Sequence, residues 1–313
     1  MVEFSMGFRF DIDQQIFEIG GVRVGGQPGE LPTVLIGSIF HHGHRIVEDP
    51  RKGVFDRVRA EELIRRQDDL SRETGNPCMI DLVGETGEAI RRYISFVADL
   101  THTPILINAP TPAVRIEGVR FAGEIGILDR VIYNSVNFTI REEEVEAIRD
   151  VGVKAALVQA FNPKNPWPQA MIDVLKGGES GEGLLSITSR AGIEKTLILT
   201  PVLDIPHIGC SVAGIWRVKK ELGLPAGTAP VGVMGSWGKI DRYGPHAKAV
   251  ARAVAAVLAQ SMGADFIIYG SMAKAETIFP ACALIDSMIA YNGRNYGVRP
   301  LVRDHPLYKI FKP

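Results

Sequence analysis

With 313 residues, 46% hydrophobic and 23% charged, the chain has room for one large α/β domain or two small ones and can bury a substantial core. Its net charge of −1 supplies no broad field that would recommend nucleic acid or an anionic membrane as a partner. Three scattered cysteines (Cys78, Cys210, Cys282) form no CxxC pair and no disulfide framework, which points to a reducing cytoplasm. The first residues carry no basic-then-apolar leader, and no uncharged apolar run approaches the length of a membrane span.

Phe8 to Asp11, Gln15 to Ile19 and Val22 to Val24 alternate apolar and polar around Gly20-Gly21, predicting a small hairpin over 8–24 that plugs the base of the larger fold. Thr33 to Gly37 reads as a first strand, and a long polar loop runs from Ser38 to Gly53. A helix from Phe55 to Glu73 has Asp56 as its N-cap and Gly75 as its stop. Cys78-Met79-Ile80-Asp81 forms a second strand, followed by a helix from Glu88 to Leu100. Ile105 to Asn108 is a third strand, and a short helix comes next over Arg115 to Leu128. Val131 to Asn134 is a fourth strand, with Thr139 and Glu142 as a capping box for a helix to Asp150. Ala155 to Gln159 is a fifth strand. The connection 161–195, rich in Pro and Gly, reads as a long insert suited to a lid or a contact between protomers.

A sixth strand is expected over Thr196 to Val202, leading to Asp204, with a helix over Cys210 to Leu222. Val231 to Met234 reads as a seventh strand, then Gly235-Ser236 and a helix from Pro245 to Met262. Phe266 to Tyr269 is the eighth strand and Ala273 to Tyr291 the last helix; the tail 292–313 wraps the surface. Eight apolar strands alternating with helices predict a (β/α)8 TIM barrel spanning 1–313 as one domain. A doubly wound sheet is disfavoured because Gly37-Ser38-Ile39-Phe40 is no dinucleotide-binding glycine loop.

Apolar runs repeatedly end on one Asp, Asn or Gln: Asp81, Asn108, Asn134, Gln159. Strand carboxyl ends converge in such a barrel. Singly, each amide is more simply a structural group, and Asp81 could accept bonds from Gly84 and Thr86 in its own loop. Together they make a set of donors and acceptors suited to a flat heterocycle. A metal centre is not expected: His41, His42 and His44 lie on a loop, and adjacent histidines point apart. No lysine ends a strand and no nucleophile elbow is present. Gly270-Ser271-Met272 offers a turn for a phosphate, or simply a turn.

Gln27-Pro28-Gly29-Glu30, Pro32 through Phe40 and Gly43-His44-x-Ile46-Val47 closely resemble the H-subunit family of tetrahydromethanopterin S-methyltransferase, over nearly the whole chain. Its bacterial members include the methyltetrahydrofolate:corrinoid-protein methyltransferases of glycine betaine demethylation, within a superfamily of pterin-binding barrels. The resemblance implies methyl transfer between a methylcorrinoid protein, which carries cobalamin, and N5 of a tetrahydropterin, tetrahydrofolate before tetrahydromethanopterin. It implies a pterin site drawn from Asp81, Asn108, Asn134, Gln159, Asp204 and Ser236, with Asn134 and Asp204 as catalytic candidates. Thr200-Pro201 falls where relatives read Asp-Pro, so either Thr200 or Asp204 fills that role. A homodimer is also implied. Two alternatives are a non-catalytic pterin-binding subunit and a dihydropteroate-synthase-like condensation; for the latter Lys239 stands late and Lys274 matches poorly.

Overall fold

The structure, a computed structural model, describes residues 9–178 and 181–311, so the expected start of the hairpin at Phe8 lies outside the described residues. Strands β1 (Ile16–Ile19) and β2 (Val22–Gly25) pair antiparallel. β3 (Val34–Ile39) leads into a small ribbon of β4 (Val47–Asp49) and β5 (Val54–Phe55), then α1 (Arg57–Thr74). Next come β6 (Cys78–Val83), α2 (Gly87–Leu100), β7 (Ile105–Asn108), α3 (Pro112–Glu124), β8 (Val131–Val136) and α4 (Glu142–Val151). β9 (Ala155–Gln159) is followed by α5 (Pro168–Lys176), the ribbon β10 (Gly177–Gly178) and β11 (Gly181–Glu182), and α6 (Leu184–Arg190). β12 (Lys195–Thr200), α7 (Ile208–Leu222), β13 (Ala226–Thr228), α8 (Ala247–Ser261), β14 (Phe266–Ser271), α9 (Ala275–Gly293) and α10 (Pro306–Lys309) complete the order.

β3, β6, β7, β8, β9, β12, β13 and β14 close on themselves as a parallel barrel. This is the expected (β/α)8 fold, and period-two alternation explains its two cores. Outward residues such as Leu35, Ile80, Ile107, Tyr133 and Ile198 pack against helices. Inward ones form a separate cluster of Val34, Ile36, Met79, Leu106, Ile132, Leu157, Leu197, Phe266 and Ile268, joined by Ile19 and Val24 of the hairpin. The hairpin is therefore the floor of the barrel. Each of these two fully buried side chains stabilises that closure by roughly 1.5–3 kcal/mol.

Local signals hold at α1. Asp56 accepts from Arg59 N at 3.1 Å, and Gly75 ends the helix at φ 86°. Its buried residues Ala60, Ile64, Gln67 and Leu70 recur every three or four positions. The α7 end is tied to the barrel by Lys219, whose buried ammonium meets both Asp265 oxygens at 2.7 and 2.8 Å and the Gly26 carbonyl at 2.7 Å.

The structure corrects three expectations. The seventh strand is Ala226–Thr228, and Val231 to Ser236 instead contains a 3-10 turn over Gly232–Ser236. Gly227 explains the choice: a Cβ there would strike the Phe266 carbonyl and ring, so only this short small-residue strand fits beside β14. The sixth strand stops at Thr200 and does not reach Val202. Thr139 forms no capping box; its hydroxyl bonds Asn137, and α4 starts without a side-chain cap. The connection 161–195 holds α5, which buries Ala170, Met171, Ile172 and Leu175, the β10–β11 ribbon, and α6, whose Arg190 pairs with Glu142 and Glu182.

Candidate functional site

Inward alternation carries β3 from Val34 through Ile36 to Ser38, β6 from Met79 to Asp81, β7 from Leu106 to Asn108, and β8 from Ile132 to Asn134. Hydrocarbon fills the lower layers, and the residues nearest the strand ends are polar. Asp81 is the hub. Its Oδ2 accepts from Ser38 Oγ at 2.7 Å, and its Oδ1 accepts from Asn108 Nδ2 at 3.0 Å and Asn134 Nδ2 at 3.1 Å. The Asp81, Asn108 and Asn134 side chains thus meet as the strand ends suggested, although the donors to Asp81 are not Gly84 and Thr86. Gly84 N donates to the Asn108 carbonyl, and Thr86 caps α2.

Only 4% of Asp81 is exposed, and burial pushes its carboxyl above the ordinary carboxylate range. The three donors pull the other way, as does His41 when protonated. A carboxylate held by several donors keeps its charge at a tolerable desolvation cost. Because each asparagine gives one amide hydrogen to Asp81, its orientation is set by that bond. No described group donates to Oδ1 of Asn108 or Asn134, and neither oxygen is sealed from solvent. Two acceptors therefore stand free beside the Asp81 carboxyl. β8 carries a bulge between Asn134 and Val136, and its Asn134–Ser135 peptide is cis.

The loop after β3 forms one wall. Phe40, at φ 61°, stacks on Tyr93 at 4.1 Å and donates its N–H to His44 Nδ1 at 3.1 Å. Burial, with His41 beside it, lowers the His44 pKa to about 4, so this ring is neutral at pH 7. His41 stacks on His44, while His42 turns to Glu85 at 2.9 Å. Among the described residues no group of three His, Cys, Asp or Glu is arranged to hold a metal ion. No described helix is long and apolar enough to cross a membrane.

The remaining candidates are placed differently. Gln159 ends β9 on the inward face shared with Leu157, half-buried, outside the Asp81 hydrogen-bond cluster. Asp204 is exposed on the loop beyond β12 and accepts from His207 N at 2.8 Å, a turn-stabilising role ahead of α7. Thr200 faces outward, bonded to Ser211 at 2.8 Å beneath α7. Its inward neighbour is Leu199, so the sixth strand contributes no acid to the cluster. Ser236 is exposed and donates to Val233 O, eight residues past the true seventh strand. Ser38 is the group the sequence reading missed. The first strand runs two residues further than expected, and the inward period Val34, Ile36, Ser38 was the available signal.

Comparisons with known proteins agree with this architecture. Residues 12–301 match the family model for the tetrahydromethanopterin S-methyltransferase MtrH subunit. The chain is 38% identical over 309 residues to the H subunit of tetrahydromethanopterin S-methyltransferase from Methanothermobacter thermautotrophicus, covering 97% of this chain and 99% of that protein. It is 37% identical over 310 residues to the corresponding protein of Methanopyrus kandleri, covering 94% and 96%. Among solved structures, dihydropteroate synthase from Xanthomonas albilineans superposes with a TM-score of 0.60 at 15% identity, over 88% of this chain and 99% of that one. The Yersinia pestis enzyme gives 0.60 at 13% identity, over 88% and 98%. These structural likenesses speak to the fold.

Proposed function

The chain belongs to the tetrahydromethanopterin S-methyltransferase MtrH subunit family, and on that premise we propose that it moves a methyl group between a corrinoid carried by a partner protein and N5 of a tetrahydropterin, tetrahydrofolate or tetrahydromethanopterin. One observation carries the proposal: Asp81 orients Asn108 and Asn134 at the barrel mouth so that an anion and two amide oxygens stand together. A reduced pterin presents several N–H groups along one edge, and this donor-poor, acceptor-rich cup complements them. A condensing enzyme of the dihydropteroate synthase kind would need cations at the seventh strand, and β13 has none.

In this reading Asp81 accepts from the ring and holds its neighbours in place, Asn108 accepts beside it, and Gln159 borders the ring. The corrinoid supplies the cobalt that bears the methyl group. Displacement at a methyl carbon demands an in-line approach, so the barrel contributes position more than acid–base chemistry. N5 gains or loses a proton according to direction, and Asn134 is the residue we place at that atom. The catalytic part expected of Asp204 rests in this proposal with Asn134, because Asp204 and Ser236 both face solvent. We also place the protein in the cytoplasm as a homodimer. Val250, Val254 and Leu258 on α8 lie beside Leu284, Met288 and Tyr291 on the adjacent α9, all exposed, and two such faces suit an isologous contact.

The test is direct. Purified protein is mixed with methylcobalamin, free or on a corrinoid protein, and with tetrahydrofolate or tetrahydromethanopterin, while cobalamin absorbance is followed. Pterin-dependent loss of the methylcobalamin spectrum supports the reading, and the faster pterin is the substrate. An unchanged spectrum with both pterins and with corrinoid proteins sinks it.

A further inference from the structure

Beside the cup, between α1, α8 and the turns after β3 and β14, lies an open cleft of about 880 Å3. Its walls carry Arg45, Arg59, Arg66, Arg252 and Lys274 against a single carboxylate, Glu62. Arg59 leans on Asp56 at 3.5 Å and Arg66 is held by Glu276 at 2.9 Å. The other three cations have no acidic partner among the described residues. Arg252 Nε is buried without a hydrogen-bond partner, and Lys274 Nζ reaches only the Tyr269 carbonyl at 3.5 Å. Burial and the neighbouring Arg252 both lower the Lys274 pKa, the mark of like charges held together without an anion between them. A chain of net charge −1 has concentrated unpaired positive charge here.

The cleft and the cup lie close together. Ser271, which lines the cleft, pairs in register with Ser38, and Ser38 pairs with Asp81. Two strand spacings, about 10 Å, separate the two sites. His41 lines the cleft and stands close enough to Asp81 to act on it electrostatically when protonated. The cleft volume is far larger than one phosphate ion requires.

We propose that this cleft seats the anionic tail of the same co-substrate whose ring occupies the cup: a chain attached to the pterin and ending in several carboxylates or a phosphate, gripped by Arg252 and Lys274 with Arg45 at the rim. The inference rests on the pterin reading of the cup. It is tested by calorimetric titration of the intact protein with 6-methyltetrahydropterin, which has no tail, and with tetrahydropteroyl mono- and tri-γ-glutamate. The wild type should prefer the triglutamate over the tail-less ring at least tenfold, with the preference shrinking as salt rises. In Arg252→Gln/Lys274→Ala the ratio should collapse toward one, and in the charge-keeping Arg252→Lys/Lys274→Arg it should return. Equal wild-type affinities, or a preference that survives the neutral double variant, overturn the proposal while leaving the cup intact. Inorganic phosphate binding as tightly as the triglutamate tail also overturns it, reassigning the cleft to a free anion. A wild type that fails to bind even 6-methyltetrahydropterin removes the cup reading and this inference with it.

Discussion

Replacing Asp81 separates its two duties, as a ligand group and as the post that orients two amides. In Asp81→Asn the carbonyl can still accept from both Asn108 and Asn134, while the new NH2 meets Ser38 Oγ, which can rotate to accept. The cluster survives with neutral bonds in place of charged ones, and relief of buried charge offsets part of the loss. Stability should change by no more than about 1 kcal/mol. Ring binding loses one charge-assisted bond, worth roughly 1.5–3 kcal/mol, or about 10- to 150-fold in affinity. Asp81→Ala goes further: both asparagines are released, their acceptors are no longer aimed, and a further factor of roughly 30 is expected from about 1 kcal/mol for each of the two misplaced bonds. Calorimetry with a tetrahydropterin, paired with thermal melts, reads both effects. Wild-type affinity in Asp81→Asn, or a melting temperature that falls in step with affinity, would refute the argument.

Asn134→Ala should lower kcat more than it raises KM in the corrinoid assay, by roughly 10- to 100-fold for one lost bond made at the reacting nitrogen; a pure KM effect would move that role elsewhere. Lys219→Met leaves Asp265 buried and unpaired, so unfolding free energy should drop by about 3–5 kcal/mol in urea titration, and adding Asp265→Asn should recover part of it. His305 is fully buried, and burial lowers its pKa to about 4 against 6.5 for the free ring. The unfolded chain therefore takes up the proton first, so this contribution is whole above pH 6.5 and drains away as pH falls toward 4. The wild-type slope of stability against pH in that window should exceed that of His305→Asn by up to about 1.4 kcal/mol per pH unit. Equal slopes would count against it. Val254→Glu with Met288→Glu should yield monomers by light scattering if α8 and α9 form the proposed contact; a persistent dimer would point to another face.

Asp81, Asn108 and Asn134 are legible in the sequence because each ends a run apolar at both parities, the pattern of a strand covered on both faces. Ser38 escapes the same reading because Gly37 looks like an end, whereas its missing side chain makes room for the outward Gln67–Tyr269 hydrogen bond and the strand continues. Ser236 was misplaced through β13: Ala-Gly-Thr has no hydrophobic run, and the close approach of Phe266 that selects it is a tertiary fact. The valines at 231 and 233 carry strand propensity but sit between Pro230, Gly232 and Gly235, and propensity yields to context there. Asp204 was misplaced because the outward hydroxyl ladder of Thr200, Ser211 and Thr228 ends the sixth strand four residues earlier. The cationic cleft was invisible because its members lie as far apart as residues 45 and 274.

Ile19 and Val24 close the barrel from below. On the proposed reading, small molecule and macromolecule must then use one doorway, and a carrier that came first would bar the pterin. Turnover acquires a compulsory order: the pterin enters an empty vessel, the methyl carrier arrives as its stopper, and nothing leaves until the stopper is drawn.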